Sequence, residues 1–243
     1  MFSFRLILMF FLINSAFFSC KKEPKSVKKT EIKIDTVKIQ SKIETQTKSK
    51  KELEKKAKAS WDTLHYNNVA SFFTAYGKQN KENKVLIKTK FGNIKVRLFN
   101  DTPIHRANFI FLVKTGYFNT TVFHRVAKEM VIQGGESDGE ESAAIRNKYR
   151  NYKLPSEASK RHKHKYGALA LAKNEEYNPD NLSNPFNFYI VNTKQGAHHL
   201  DGLYTVFGEV ISGYSTVRKI SNVKVGYGEW PIDDVHIKME VIK

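Results

Sequence analysis

The sequence predicts a mostly β protein, an antiparallel barrel capped by helices, and three observations lead to this fold class. Short runs of alternating apolar and polar residues recur from about residue 84 to the C-terminus, which is typical of half-buried strands. Only two convincing helices accompany these runs, and no internal repeat is present. A chain of 243 residues with 40% apolar residues favours one globular domain of about 165 residues with tails over two equal domains.

The first 20 residues are predicted to be an export signal, because Arg5 precedes a mostly apolar run of 13 residues, Leu6 to Phe18. Thirteen residues are too few to span a bilayer comfortably. The run Ala16-Phe17-Phe18-Ser19-Cys20 resembles a bacterial lipobox, although Phe17 is not the usual residue at its position. We expect lipidation of Cys20 and attachment to a membrane of the cell envelope, on its periplasmic or surface side. A plain signal peptide or an uncleaved anchor is the alternative.

Residues 21–50 are predicted to form a disordered basic tether. The formal net charge of the chain is +17, and residues 21–58 contain 14 Lys against 6 acidic residues, a net charge of +8. This segment has no aromatic residue, whereas single-stranded nucleic acids are bound by aromatic side chains interleaved with basic ones. The charge therefore indicates a solvated tail, and we expect no nucleic-acid partner.

Residues 51–83 are predicted to be a helical extension, with Asn67-Asn68 dividing two helical stretches and Gly77 as the stop. The aromatic residues of this region favour packing on the main domain, and a helix that docks a partner is the alternative. The helical spacing is carried by Leu53, Ala57, Trp61, Leu64, Val69, Phe72, Phe73 and Tyr76.

The globular domain is predicted to span residues 84–243. Two alternating runs around Gly92-Asn93 predict a hairpin. A helix then follows, with Thr102 as the N-cap, Pro103 at the first helical position and Gly116 at the end. Further strands are predicted at 121–123, 131–133, 168–172, 188–192, 204–210 and 235–242, and the last of these is expected to close the sheet.

The familiar catalytic constellations are missing from the sequence, which contains no Gly-x-Ser-x-Gly elbow, no phosphate-binding loop and no His-Glu-x-x-His pair. The only cysteine is Cys20, so lipidation would leave no thiol for catalysis or metal binding. The spacing of the histidines matches no metal-ligand pattern, and we predict no metal and no cofactor. The histidines predicted to lie on the surface are His162, His164, His198 and His199.

Four blocks carry a resemblance to a known family: Phe123-His124-Arg125-Val126, Val131-Ile132-Gln133-Gly134-Gly135, Phe188-Tyr189-Ile190, and the run from Leu200 to Val210. In order and spacing, the sequence resembles the cyclophilin family of peptidyl-prolyl isomerases from roughly Lys84 to Lys243. The resemblance implies a closed antiparallel eight-stranded barrel capped by two helices. It also implies a monomer that isomerises X-Pro bonds in proline-containing polypeptides.

By the same resemblance, Arg125 donates a hydrogen bond to the prolyl nitrogen, and Gln133 binds the substrate backbone and positions the arginine. A surface salt bridge is the alternative for Arg125. Met130, Tyr189 and Leu200 would line the proline pocket, with Phe123 and Phe188 more as core supports beneath it. The full predicted substrate-binding set is Phe123, His124, Met130, Ala172, Asn187, Phe188, Tyr189, His199, Leu200 and Tyr204.

Several of these positions depart from the family pattern. Met130 and Tyr189 replace the usual pocket phenylalanines, and Asn187 replaces a frequent glutamine. His199 and Tyr204 stand where tryptophan and histidine are frequent. We expect an isomerase that assists folding of exported or envelope proteins, and these departures should alter the contacts in its proline pocket.

Two alternatives to catalysis stay open, a module that binds proline-containing segments with little turnover and a structural role in the envelope. The stretch from Glu136 to Arg161 is expected to border the cleft. There it would select substrates or dock a protein, and a solvated insertion is the alternative.

Overall fold

A computed structural model of the protein describes residues 64–65, 67–149, 152–173 and 177–243. The export signal with Cys20, the basic tether and the first half of the helical extension lie outside the described residues. None of the helices in the described ranges is long and apolar enough to cross a membrane.

Eight strands form one sheet, and every strand pair in it is antiparallel. Their order across the sheet is β3-β4-β6-β5-β7-β2-β1-β8. The strands are β1 (Lys84–Thr89), β2 (Gly92–Leu98), β3 (Val122–Ala127), β4 (Val131–Glu136), β5 (Ala168–Leu171), β6 (Phe188–Val191), β7 (Val206–Ser212) and β8 (Lys238–Ile242).

The two outer strands, β3 and β8, lie at opposite ends of this order. They approach each other only where the segment before β8 passes the start of β3, with an isolated bridge between Val122 and His236. The Phe123 amide donates to the Val235 carbonyl at 2.9 Å, and the Ile237 amide donates to the Thr121 carbonyl at 3.0 Å. The sheet is thus a curled, open half-barrel, and the closed barrel implied by the resemblance is not confirmed.

Four α-helices lie in the described residues, where the sequence predicted two capping helices and an extension. The sequence located the extension and one capping helix but gave no position for the other two helices, because one lies in a polar run without apolar periodicity and the other has only 8 residues. The helices are α1 (Val69–Gln79), α2 (Pro103–Lys114), α3 (Glu140–Lys148) and α4 (Tyr214–Ser221).

Helix α1 runs two residues past Gly77, so the prediction that this glycine stops the helix is wrong. A Cβ atom on Gly77 would lie 3.1 Å from the Ala107 Cβ and 3.2 Å from the Arg106 Nη2. The glycine therefore serves the close approach of α1 to α2 rather than the end of a helix.

The packing of α1 follows its apolar spacing. The Phe73 ring is fully buried, with its centroid 5.8 Å from that of Phe111 on α2 and 5.6 Å from that of Tyr152. Phe72 and Tyr76 contact the same Phe111 ring from the partly buried side of the helix. Helix α1 thus belongs to the main hydrophobic core, although it precedes the first strand of the sheet.

Helix α2 begins after Thr102 as predicted, but the Thr102 hydroxyl donates to the Phe99 carbonyl and does not cap the helix. Instead, the Glu157 carboxylate accepts from the backbone amides of Ile104 and His105 at 3.0 and 2.8 Å. It also lies 2.6 Å from the His105 Nδ1. A residue distant in sequence therefore satisfies the free amides at this helix start.

Replacing Glu157 with Gln is expected to lower the free energy of unfolding by about 1 to 2 kcal/mol, because the charge that caps α2 is lost while the shape is kept. Urea unfolding of the two proteins measures the difference. Glu240→Gln is the control, since Glu240 forms an exposed ion pair with Lys88 and should change stability by less than about 0.5 kcal/mol. Equal effects of the two substitutions would contradict the capping role.

Candidate active site

A groove of about 200 Å³ lies on the face of the sheet opposite the main core, over strands β3, β4 and β6 and the residues that follow β5. Its floor belongs to a second apolar cluster, separate from the main core, that includes Ala170, Tyr189 and Val206. The groove is lined by Arg125, Met130, Val131, Gln133, Ala172, Lys173, Tyr189, Leu200 and Tyr204.

Strand register brings the polar part of the groove together. Arg125 on β3 pairs with Gln133 on β4, and Gln133 pairs with Tyr189 on β6. Residues directly opposite each other on neighbouring strands point to the same face of the sheet. The three side chains therefore stand in a row across three adjacent strands.

A β-bulge at His124 decides which side chain of β3 reaches the groove. Phe123 pairs with Gly134 and Arg125 pairs with Gln133, so the register shifts between them. In a regular strand Phe123 and Arg125 would share a face, but the extra residue re-aims one of them. Phe123 consequently enters the core while Arg125 lies at the groove.

Five residues of the predicted substrate-binding set do not line the groove. Phe123 and Phe188 are fully buried and contact each other in the core, with ring centroids 5.7 Å apart. They support the sheet from below. The His124 and Asn187 side chains are also buried, and His199 is exposed outside the lining. The Asn187 Nδ2 donates to the Glu136 Oε1 at 3.1 Å.

The Arg125 guanidinium has two partners. Its Nη1 lies 3.5 Å from the Gln133 Oε1, and its Nη2 lies 2.7 Å from the Glu229 Oε2. The side chain keeps 37% exposure. A place in the groove and a salt bridge were alternatives in the sequence analysis, and the structure shows both.

A buried polar network supports Tyr189 from behind, and it corrects the prediction that His164 lies on the surface. The His164 ring is fully buried, with its Nε2 2.9 Å from the Tyr189 hydroxyl and its Nδ1 2.9 Å from the Asp201 Oδ1. The hydrogen bonds assign the proton to Nδ1, so Tyr189 donates to Nε2. The Tyr189 hydroxyl is thereby held in place behind the groove wall.

Burial and charge oppose each other in this network. Burial lowers the pKa of His164, and the hydrogen bond and charge of Asp201 offset only part of this effect. Burial alone would raise the pKa of Asp201, but hydrogen bonds from the backbone amide and ring of His164 outweigh it and hold that pKa well below its usual value. His164 is therefore a neutral ring held by an ionised carboxylate at neutral pH.

His162 is also not a fully exposed side chain. Its ring stacks on Phe99 with centroids 4.1 Å apart, and its Nε2 lies 2.9 Å from the Asp101 Oδ1. His198 and His199 are exposed, as predicted. Among the described residues, no group of three or more His, Cys, Asp or Glu side chains is arranged to hold a metal ion.

The free energy of unfolding is expected to fall as the pH is lowered from about 7 to 5. Burial lowers the pKa of both His124 and His164, so below about pH 6.5 the unfolded chain binds protons that the folded protein does not. Stability therefore rises with pH in this window. Urea unfolding at a series of pH values measures the slope, which should be smaller in His164→Gln. An unchanged slope in that variant would contradict the burial of a neutral His164.

Three residues of the site were missed by the sequence analysis. Val131 lies two residues from Gln133 on β4, and period-2 alternation could have identified it. The second missed residue is Lys173, whose Nζ lies 4.5 Å from the centre of the Tyr204 ring and donates a hydrogen bond to the Asn181 side chain. The third is Glu229, which contacts Arg125. No sequence signal marks Lys173 or Glu229, because their positions depend on how distant segments pack.

The geometry limits the chemistry of the groove. Its apolar wall of Met130, Leu200 and Tyr204 faces a guanidinium and a primary amide. Such a site holds a small apolar ring and donates hydrogen bonds to the backbone around it. The fold and groove define a class of protein with an antiparallel half-barrel and a surface groove that can hold an apolar side chain beside hydrogen-bond donors.

Comparison with known proteins identifies the family. The family model for cyclophilin type peptidyl-prolyl cis-trans isomerase/CLD matches residues 84–241. The chain therefore belongs to the cyclophilin family of peptidyl-prolyl cis-trans isomerases.

Individual proteins with similar sequences are also peptidyl-prolyl cis-trans isomerases by name. A peptidyl-prolyl cis-trans isomerase of Acinetobacter baylyi is 37% identical over 143 residues, which is 57% of this chain and 72% of that protein. Peptidyl-prolyl cis-trans isomerase-like 2 of Rhizopus delemar is 37% identical over 167 residues, 67% of this chain but only 29% of that longer protein. This chain thus spans less than a third of the Rhizopus relative.

Solved structures share the fold. The crystal structure of a cyclophilin type peptidyl-prolyl cis-trans isomerase of Cryptosporidium parvum has a TM-score of 0.57 and 27% identity, and the match covers 67% of this chain and 98% of that one. A second structure of the same protein, in the presence of the dipeptide Ala-Pro, has a TM-score of 0.55, also with 27% identity, and covers 66% and 99%.

Proposed function

We propose that this protein catalyses cis/trans isomerisation of X-Pro bonds in exported polypeptides, without forming a covalent intermediate. The observation that carries the proposal is the row of Arg125, Gln133 and Tyr189 on three adjacent strands, at the edge of an apolar groove. The apolar groove would bind the proline ring, and the guanidinium lies at the groove, where it can donate to the prolyl nitrogen.

The reaction needs no bond to be made or broken. Rotation of a peptide bond costs about 18 to 20 kcal/mol, because the nitrogen lone pair is shared with the carbonyl. The lone pair returns to the nitrogen as the bond twists, and a donor held at that place stabilises the twisted state. Lowering the barrier by about 5 to 8 kcal/mol corresponds to roughly 10⁴ to 10⁶ in rate. The Arg125 guanidinium supplies that donor at every physiological pH.

Gln133 has a supporting part in this mechanism. Its Nε2 lies 3.3 Å from the His124 Nε2, and its Oε1 faces Arg125. Burial lowers the pKa of His124, so the ring is neutral at pH 7 and accepts a hydrogen bond from the amide. Gln133 then presents its oxygen to the arginine and keeps its second N–H for the substrate backbone.

The cellular setting is proposed from the N-terminal sequence. A lipid on Cys20 would attach the protein to a membrane of the cell envelope, and the basic tether would separate the domain from it. A flexible chain of 30 to 40 residues has an end-to-end distance of roughly 30 to 35 Å. Exported and envelope proteins are the polypeptides within reach of a domain held in this way.

A second candidate function is a binding module with little turnover. The observation that favours it is the ion pair with Glu229, which occupies one edge of the guanidinium. Refolding of a protein limited by proline isomerisation separates the two functions. A concentration-dependent acceleration by the wild type supports catalysis, whereas binding of proline peptides at the background refolding rate supports the binding module.

Membrane attachment is tested with Cys20→Ser, which is expected to release the protein from the membrane fraction of cells. A deletion test of the tether should remove residues 21–50 only. A deletion that reached residue 83 would also remove α1, whose Phe73 is part of the core. Retention of Cys20→Ser at the membrane would contradict the lipid anchor.

A further inference from the structure

A carboxylate from a distant loop contacts the guanidinium of the proposed site. Glu229 ends the 3₁₀ turn Tyr227–Glu229, and its Oε2 lies 2.7 Å from the Arg125 Nη2. The two side chains are 44% and 37% exposed. Glu229 is not one of the residues that line the groove, and its contact with the site is made to Arg125.

The backbone of this turn is unusual in a way that serves the contact. Gly228 and Glu229 both have positive φ angles, 66° and 62°. Glycine adopts this conformation freely, but a glutamate there costs on the order of 1 kcal/mol. Such residues persist where the surrounding structure holds them, and they cluster at functional sites.

The loop around Glu229 is held at both of its ends. The Gly226 amide donates to the Trp230 carbonyl at 2.8 Å, and the Ile232 amide donates to the Lys224 carbonyl at 2.9 Å. The Trp230 ring lies 5.6 Å from the ring of His124, the residue before Arg125. Two successive loop residues thus contact two successive residues of β3.

The contact with Glu229 is the shorter of the two that fix the guanidinium. Its distance of 2.7 Å is typical of a charge-assisted hydrogen bond, whereas the 3.5 Å to Gln133 is at the limit of one. A free arginine side chain carries about 2 kcal/mol of rotamer entropy. Without Glu229, only the weaker contact with Gln133 would hold the guanidinium in place.

We propose that Glu229 is a positioning residue for Arg125, holding the guanidinium where it meets the prolyl nitrogen. The carboxylate also offsets part of the positive charge, but solvent screens a half-exposed pair strongly. Misplacement of a reacting group by about 1 Å costs up to about 10²-fold in rate, so the gain in placement outweighs the loss in charge. This inference rests on the proposed role of Arg125.

The test measures kcat and KM on an X-Pro tetrapeptide for Glu229→Gln and Glu229→Asp. We expect kcat to fall about tenfold in Glu229→Gln with KM within about twofold, and an intermediate kcat in Glu229→Asp. The matched control is Glu209→Gln, since Glu209 forms a half-exposed pair with Arg97 between β7 and β2, outside the groove. Raising the salt from about 0.05 to 0.5 M should lower kcat of the wild type but not of Glu229→Gln.

A second measurement keeps this inference separate from the proposed function. The ¹⁵N–¹H signal of the Arg125 Nε is expected to be sharp in the wild type and broadened by exchange in Glu229→Gln. A sharp signal in both proteins, or a kcat that is unchanged or higher in Glu229→Gln, would overturn the positioning role alone. A wild type without isomerase activity, but with this change in the Arg125 signal, would overturn the proposed function and leave the positioning contact in place.

Discussion

Replacing Arg125 with Ala is expected to lower kcat/KM for an X-Pro peptide by about 10² to 10³, the usual loss when one preorganised donor is removed from a site. The guanidinium is the charged donor that stands in line with Gln133 and Tyr189 on the strands of the groove. A protease-coupled or NMR exchange assay on a proline tetrapeptide measures the change. The loss should appear in kcat more than in KM, because the apolar wall that binds the ring is unchanged.

Two further measurements exclude loss of fold as the cause. Arg125 is half-exposed and forms its salt bridge with the half-exposed Glu229, so the free energy of unfolding should change by less than about 1 kcal/mol. Arg125→Lys keeps the charge but loses the fork of donors, and it should recover only part of the activity. Equal rates for wild type and Arg125→Ala, at unchanged peptide affinity, would show that the groove binds proline segments without catalysing their isomerisation.

The groove shows how far a single sequence leads to a site. Spaced motifs identified Arg125, Gln133 and Tyr189, and strand register explains why these three meet. Alternation alone would have put Phe123 and Arg125 on one face, and the bulge that separates them has no clear sign in the sequence. Lys173 and Glu229 come from loops whose approach depends on tertiary packing, so no local pattern could reveal them.

The fold was predictable to a similar depth. Strand-like runs located all eight strands; strands such as β2 leave a period-2 signal, whereas β5 and β6 are buried at every position and appear as short apolar runs. Closure of the sheet could not be read from them, since it depends on the curl of the whole sheet and not on any one strand. The prediction that His164 lies on the surface was wrong because the neighbouring Lys163 and Lys165 make the local sequence resemble an exposed loop. The His164 side chain in fact turns inward to Asp201.

Replacing Phe73 with Ala is expected to lower the free energy of unfolding by about 3 to 5 kcal/mol, the usual cost of removing a fully buried phenylalanine. The residue lies on α1, outside the family match that begins at residue 84. Its ring nevertheless packs between Phe111 of α2 and Tyr152. Urea unfolding measures the loss, with Thr74→Ala as the control, since Thr74 is exposed on the same helix and should change stability by less than about 0.5 kcal/mol.

Because α1 packs into the core, the folded unit extends beyond residues 84–241, the part of the chain that the family model matches. The Arg106 side chain on α2 donates to the carbonyls of Gly77, Asn80 and Glu82, which ties the end of α1 to the second helix. A truncated chain that begins at residue 84 would expose the Phe111 ring and leave the Arg106 guanidinium without these acceptors. It should therefore unfold at a lower urea concentration than a chain that begins at residue 59. If Phe73→Ala cost less than about 1 kcal/mol and both truncated chains unfolded together, α1 would be free in solution and available to a partner.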